Sequence, residues 1–232
     1  MARMNWPTIL YEDDELLVID KPAGQLSVAT EGNRNTAYRQ ATDYIRIRNK
    51  RARLFIVHRL DRDTSGVLLF AKNEALKLAL QEHWNDLVRR RGYQAIVAGR
   101  PPKQADTLRS YLLENRAHIV YSAPEKKGGK LAVTHYRLLE ERKGYSLLDL
   151  SIDTGRKNQI RVQLADLGCP VAGDRKYGGG KGGDPIRRLA LHAGELTLLH
   201  PVNGREYSFT ARLPREFGRL FPEKAPKEET TP

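Results

Sequence analysis

Two short apolar runs, Leu54-Phe55-Ile56-Val57 and Val67-Leu68-Leu69-Phe70, flank the polar stretch from His58 to Gly66. They read as buried strands. The stretch between them (His58-Arg59-Leu60-Asp61-Arg62-Asp63-Thr64-Ser65-Gly66) therefore carries charge and hydroxyls next to the core. Functional groups are often mounted on such loops. The residues alone leave a second reading open, a solvated connection in which Asp61 or Asp63 caps a turn.

The rest of the chain is mostly short strands. Thr8 to Glu12 and Leu16 to Asp20 form an expected hairpin that ends at Lys21-Pro22-Ala23-Gly24. Helical spacing over Thr36 to Asn49 (Ala37, Ala41, Tyr44, Ile45) predicts a helix with a basic end, and Leu76, Leu80, Trp84 and Leu87 predict another over Glu74 to Val88. Arg89 to Gly92 reads as a basic turn before the strand Tyr93 to Ala98. Short strands are expected within Asp106 to Tyr121, and a flexible basic loop over Lys126 to Lys130. Ala132–Glu140 and Tyr145–Ile152 make an expected antiparallel pair turned at Arg142-Lys143-Gly144. Gln159 to Leu167 predicts a short helix closed by Gly168. Tyr177 to Asp184 reads as a mobile glycine-rich loop, and strands are expected over Leu189–Leu198 and Glu206–Leu213. Strands that mostly follow one another directly predict an α+β fold with a mixed, largely antiparallel sheet and flanking helices. No linker or repeat divides the chain, so a single domain is expected over 1–222, with a charged, disordered tail over 223–232.

Composition narrows the partners. Forty Lys and Arg against 28 Asp and Glu leave a formal charge of +12, which points to a polyanion such as nucleic acid. The single cysteine, Cys169, excludes an internal disulfide and fits a reducing compartment; its apolar neighbours mark it as a packed side chain. No apolar run reaches the ~20 residues of a membrane span, and the N-terminus lacks the apolar core of a signal peptide. A cytoplasmic protein is expected.

The run His58 to Gly66 resembles the H-R-L-D-x-x-T-S-G motif of the RluA-type pseudouridine synthases. Other segments match that family in the same order. Leu16 to Gly24 is similar to its strand running into a Lys-Pro-x-Gly turn. Arg91-Gly92-Tyr93-Gln94-Ala95-Ile96-Val97-Ala98-Gly99 resembles its K-x-Y-x-A-x-V-x-G strand, with Arg91 where Lys is usual. Thr154-Gly155-Arg156-Lys157-Asn158-Gln159-Ile160-Arg161-Val162 resembles T-G-R-x-H-Q-I-R-V, and Gly173 to Gly178 and Arg188 to Ala193 resemble two further motifs. Asn158 stands where His is usual, and Gln163 where another His is common. Many relatives carry a separate small RNA-binding domain, which is not expected here because the catalytic motifs begin close to Met1.

The resemblance implies isomerisation of uridine to pseudouridine in structured RNA, ribosomal or transfer. The reaction needs no metal, nucleotide or other cofactor. It implies catalytic roles for Asp61 beside the ribose, Arg161 as the cation that keeps Asp61 ionised, and Tyr93 as a flat, hydroxyl-bearing surface for the base. Arg59 is expected to fill the space left by an extruded base. His58, Thr64, Arg91, Arg156, Asn158 and Gln159 complete the expected substrate-contacting set, although His58 and His192 also read as hydrogen-bonded structural histidines. Asp63, Thr64 and Ser65 are expected to fix the loop through local backbone bonds. The remaining basic residues, among them Arg46, Arg48, Lys50, Arg51, Arg53, Arg89 and Arg90, are expected to converge on the pocket and bind backbone phosphate. A monomer is expected. The competing readings are a non-catalytic RNA-binding module and, less favoured, a phosphodiesterase with a metal on His58, Asp61 and Asp63.

Overall fold

The computed structural model describes residues 6–30, 35–178 and 185–222. Leu16 to Ile19 is apolar at every position rather than at alternate ones, which requires both faces of its strand to be covered. They are. In β2 (Leu16–Lys21) and β4 (Ser65–Ala71), side chains of one parity (Leu16, Val18, Val67, Leu69) join one core cluster with Leu76 and Leu80, while Leu17, Ile19, Leu68 and Phe70 join another with Ala37, Ala41 and Ile45. Full burial of each such Leu, Ile or Phe contributes about 1.5–3 kcal/mol. Helices α1 (Ala37–Arg46) and α2 (Glu74–Glu82) supply the covering residues on the two faces. Each opens on a side-chain cap: Thr36 accepts from the Arg39 amide and Asn73 from the Leu76 amide.

Around this layer the chain lays down β1 (Thr8–Glu12), β3 (Phe55–Ile56), β5 (Val88–Ala98), β6 (Ala105–Glu114), β7 (Val120–Ala123), β8 (Lys130–Arg142), β9 (Tyr145–Ile152), β10 (Leu191–Leu199) and β11 (Glu206–Thr210), with helices α3 (Trp84–Leu87), α4 (Gln159–Asp166) and α5 (Arg215–Leu220). The strands form a single sheet in the order β1-β2-β4-β10-β5-β9-β8-β6-β7, with β3 on β4 and β11 on β10. Among the described residues every strand pairing is antiparallel except β4 with β10, so the expected α+β fold with a mixed, largely antiparallel sheet is the observed one.

That one parallel contact joins the two halves of the sheet, and it is short: Ser65 faces His192 and Gly66 faces Ala193. Gly66 has φ +118°, and a Cβ there would lie 2.1 Å from the Ala193 carbonyl oxygen, so no other residue fits without moving backbone. The polar loop thus ends where the two halves meet. Tyr93 on β5 packs against the cores of both halves.

Three local expectations are corrected. The helix over Glu74–Val88 breaks at His83, and Val88 already belongs to β5. Arg89 to Gly92 is strand rather than turn, because Arg90, Arg91 and Gly92 pair with β10 on one side while Gly92 and Tyr93 pair with β9 on the other. The segment over Lys126–Lys130 begins in a 3-10 turn, Glu125–Lys127, and ends in β8. Gly168 closes α4 with φ +83°, as expected. Most of the glycine-rich stretch before Asp184 and the tail from Glu223 lie outside the described residues.

Candidate active site

A cleft of about 920 Å³ opens along the seam between the halves, and all ten sequence-selected residues line it. Asp61 comes from the loop before β4, Tyr93 from β5, and Arg156, Asn158, Gln159 and Arg161 from the N-terminal end of α4.

The Asp61 loop is held from beneath by Lys21. This side chain is completely buried, and its ammonium donates to the carbonyls of Pro22 (2.9 Å), Gln25 (2.8 Å) and Arg62 (3.0 Å). Three donors meet three acceptors. Burial pushes the Lys21 pKa down to about 8, so the ammonium is charged at neutral pH. On the same loop the Thr64 amide donates to the Asp61 carbonyl. Ser65 is anchored at long range instead of locally: its hydroxyl lies 2.9 Å from His192 Nδ1 and accepts from Arg188 at 3.0 Å. Lys21→Met should leave three carbonyls without a donor and let the loop shift, which typically costs about 10²-fold in turnover. The check is single-turnover kinetics beside RNA affinity, and only the first should fall.

Burial raises the pKa of Asp61, while Arg161, the Asn158 backbone amide, Lys157 and Lys21 all pull it down; the net direction is upward. The cationic surroundings thus offset part of the desolvation cost. Arg161, however, does not grip Asp61. Its fork closes on Asp174, Nε at 2.7 Å and Nη2 at 2.8 Å, and Nη1 donates to Asn158 Oδ1 at 2.9 Å. Its guanidinium lies 5.1 Å from the centre of the Tyr177 ring. The bidentate contact goes to Asp174, and Arg161, implied as the cation beside Asp61, reaches it only through its charge. Asp174, whose side chain is fully buried, was not selected from sequence. Its signal was the Gly173-Asp174 pair in a family-like motif, which carried no assigned chemistry.

Tyr93 is kept protonated, since burial, with Asp61 adding to it, raises its pKa to about 12. Among the described residues its hydroxyl has no hydrogen-bond partner. Arg59 is exposed and likewise makes no ion pair or hydrogen bond among the described residues. Arg91 donates to the Asp153 carbonyl, and burial lowers its pKa.

Other members of the set are spent on the scaffold. His58 Nε2 accepts from the Leu69 amide at 3.1 Å, the ring stacks on Trp84 at 5.2 Å, and burial takes its pKa to about 4. That leaves a neutral structural imidazole. Gln159 is saturated: Oε1 accepts from Thr154 and the Arg156 amide, and Nε2 donates to Val133 and Thr134. Asn158, in a left-handed conformation (φ 54°), gives Oδ1 to Arg161 and Nδ2 to the Tyr177 hydroxyl. These two amides shape the α4 entry instead of offering groups to a ligand. The proposed convergence of basic residues holds for Arg91, Arg156 and Lys157 but fails for Arg90, which is paired with Glu195 and Asp149 away from the cleft. Arg46, Arg48, Lys50, Arg51 and Arg53 do not line the cleft either. Among the described residues no three His, Cys, Asp or Glu side chains form a group that could hold a metal ion, and His58 has already given its inward nitrogen to Leu69.

The same overall fold is found in solved structures. The chain superposes on Human RNA Pseudouridylate Synthase Domain Containing 4 with a TM-score of 0.76 and 25% identity, covering 92% of this chain and 93% of that one. Human RNA Pseudouridylate Synthase Domain Containing 1 gives 0.73 at 25% identity, covering 91% and 85%. Fold and cleft together define a pseudouridine synthase catalytic domain. The RNA pseudouridylate synthase family pattern matches residues 15–166. Ribosomal large subunit pseudouridine synthase D of Zymomonas mobilis is 35% identical over 92% of this chain and 71% of its own length. Synthase C of Rickettsia bellii is 33% identical over 91% and 70%. The chain belongs to the RNA pseudouridine synthase family, enzymes that isomerise uridine to pseudouridine in RNA. No helix of the described residues is long and apolar enough to cross a membrane.

Proposed function

We infer that Asp61, Tyr93 and Arg161 carry this isomerisation in a structured RNA, ribosomal or transfer, and that the enzyme works in the cytoplasm as a monomer without a nucleotide cofactor or metal. The domain extends over 1–222. The observation that carries the residue roles is the meeting of a half-buried carboxylate, a protonated tyrosine and a fixed guanidinium in one cleft at the sheet seam.

The target uridine must leave its stack to reach this depth. Arg59, exposed and unengaged, is placed to occupy the vacated space by stacking or phosphate contact. Asp61 then acts at the ribose, by attack on C1′ or by proton removal from C2′. The N1–C1′ bond breaks, the uracil turns against Tyr93, and C5 bonds to C1′. C5 gives up its proton and N1 gains one, so atoms and electrons balance without an external reactant. The cationic side chains of Arg91, Arg156 and Lys157 bind the surrounding phosphates.

Tyr93→Phe separates the flat surface from the hydroxyl. If the hydroxyl moves the C5 or N1 proton, turnover falls by about 10²-fold or more while RNA affinity stays unchanged. Equal turnover for Phe and Tyr would reduce Tyr93 to a stacking surface. The target is found by carbodiimide mapping of pseudouridine in ribosomal and transfer RNA from a strain lacking the protein. A site absent from that strain and restored by the wild type, but not by Asp61→Asn, identifies it.

A further inference from the structure

Among the described residues, the charged side chains lining the cleft are cationic with two exceptions, Asp61 and Glu114. Asp61 has chemistry to perform. Glu114 has none assigned, and a carboxylate in a phosphate-binding cleft opposes the ligand. It stands at the end of β6, and its carboxylate accepts from Lys157 Nζ and pairs with His118 Nδ1 at 2.8 Å. Lys157 directly precedes Asn158, whose backbone amide acts on Asp61. A phosphate on Lys157 would therefore sit beside the reacting nucleotide.

Glu114 is not needed to hold its hairpin. The β6–β7 hairpin is fastened by a buried apolar cluster, Leu112 and Val120 against Ala132 and Val162, and by the Val120 amide donating to the Tyr177 hydroxyl. The Glu114–Lys157 pair is half-exposed, so exchanging its carboxylate for another anion costs little. A carboxylate on an ammonium has the charge and reach of a phosphate oxygen on the same ammonium.

We propose that Glu114 is a specificity-determining residue, an internal stand-in for RNA phosphate that occupies Lys157 until correctly seated RNA displaces it. This role rests on RNA binding in the cleft. RNA that seats fully gives Lys157 a phosphate and leaves Glu114 to His118 and solvent. RNA that seats poorly meets the carboxylate and a closed lysine.

The test uses the full chain and a uridine-free RNA hairpin, which cannot be modified, with affinity measured across salt concentrations. Glu114→Gln should bind it about two- to fivefold more tightly, the range for one exposed ion pair. This RNA has no uridine to seat and so leaves Lys157 on Glu114 in the wild type; the variant gains that lysine as one phosphate contact, and the slope of log affinity against log salt should steepen by about 0.7–0.9. In a Lys157→Gln background the same substitution should change neither quantity. Glu114→Ala repeats the experiment without a side chain that can still accept from Lys157. A gain that survives the loss of Lys157 would make Glu114 a general repellent and overturn the role. So would no gain, or weaker binding with a lowered melting temperature. Salt-independent binding by the wild type would instead remove the RNA-binding cleft itself, an outcome separate from either.

Discussion

Arg161→Met should be both inactive and about 3–5 kcal/mol less stable, because it leaves Asp174 as an uncompensated buried charge. The Asp174 side chain is fully buried and also receives the amides of Lys176 and Tyr177. Burial acts to raise its pKa, but the hydrogen bonds and charge of Arg161 overcome this and hold the carboxyl below its ordinary 3.8. A depressed folded pKa means stability that is complete above the unfolded value and lost as pH falls through the folded one. Without Arg161 the sign should reverse: burial, the largest influence on this carboxyl, is then opposed only by the Lys176 and Tyr177 amides and should set the Asp174 pKa above the unfolded value, so that the variant gains stability as acid neutralises it. Denaturant melts from pH 7 down to pH 4 should show the gap between wild type and variant narrowing. A second variant separates structure from chemistry. Arg161→Met combined with Asp174→Leu removes both charges, should recover much of the lost stability, and should stay inactive. Activity in the recovered double variant would show that Arg161 serves only to neutralise Asp174.

The strands, the α4 cap at Gly168 and the polar Asp61 loop are legible in the sequence because each has a local signature: a continuous apolar run, a glycine after a helical stripe, a dense polar motif. The partners of those residues were less legible. Arg161 lines the cleft, yet its fork lies on a carboxylate 13 positions away that no periodicity points to. Ser65 was expected to bond locally and is instead held by His192, 127 positions on. Lys21 was visible only as part of a turn motif; its burial beneath the Asp61 loop depends on β2 and β4 being neighbours in the sheet. The family resemblance implies substrate-facing roles for Gln159 and Asn158, but a motif does not record which hydrogen bonds are already satisfied within the fold. The strand over Arg89–Gly92 was hidden by three consecutive arginines, whose charge reads as a turn until Glu195 and Asp149 are seen beside Arg90.

Asp61→Asn carries the largest expected effect on activity. The amide is nearly isosteric, retains an oxygen for the Asn158 amide, and removes only the charge and the ability to attack or to take a proton. Turnover should fall by about 10³-fold or more, whereas RNA affinity, set by Arg91, Arg156, Lys157 and the other cations, should change little or rise as one negative charge leaves the cleft. An equal loss of turnover and kcat/KM is the signature of an interaction made in the transition state. A parallel loss of binding would instead assign Asp61 to holding the substrate.

The most direct single measurement is tritium release from RNA labelled at uridine C5, with EDTA present and with ribosomal and transfer RNA from a strain lacking the protein as separate substrates. Release by the wild type and none by Asp61→Asn is the predicted result, since forming the C5–C1′ bond must expel the C5 proton. Equal release by both proteins, or none by the wild type on either RNA, would contradict an Asp61-dependent isomerisation in this cleft.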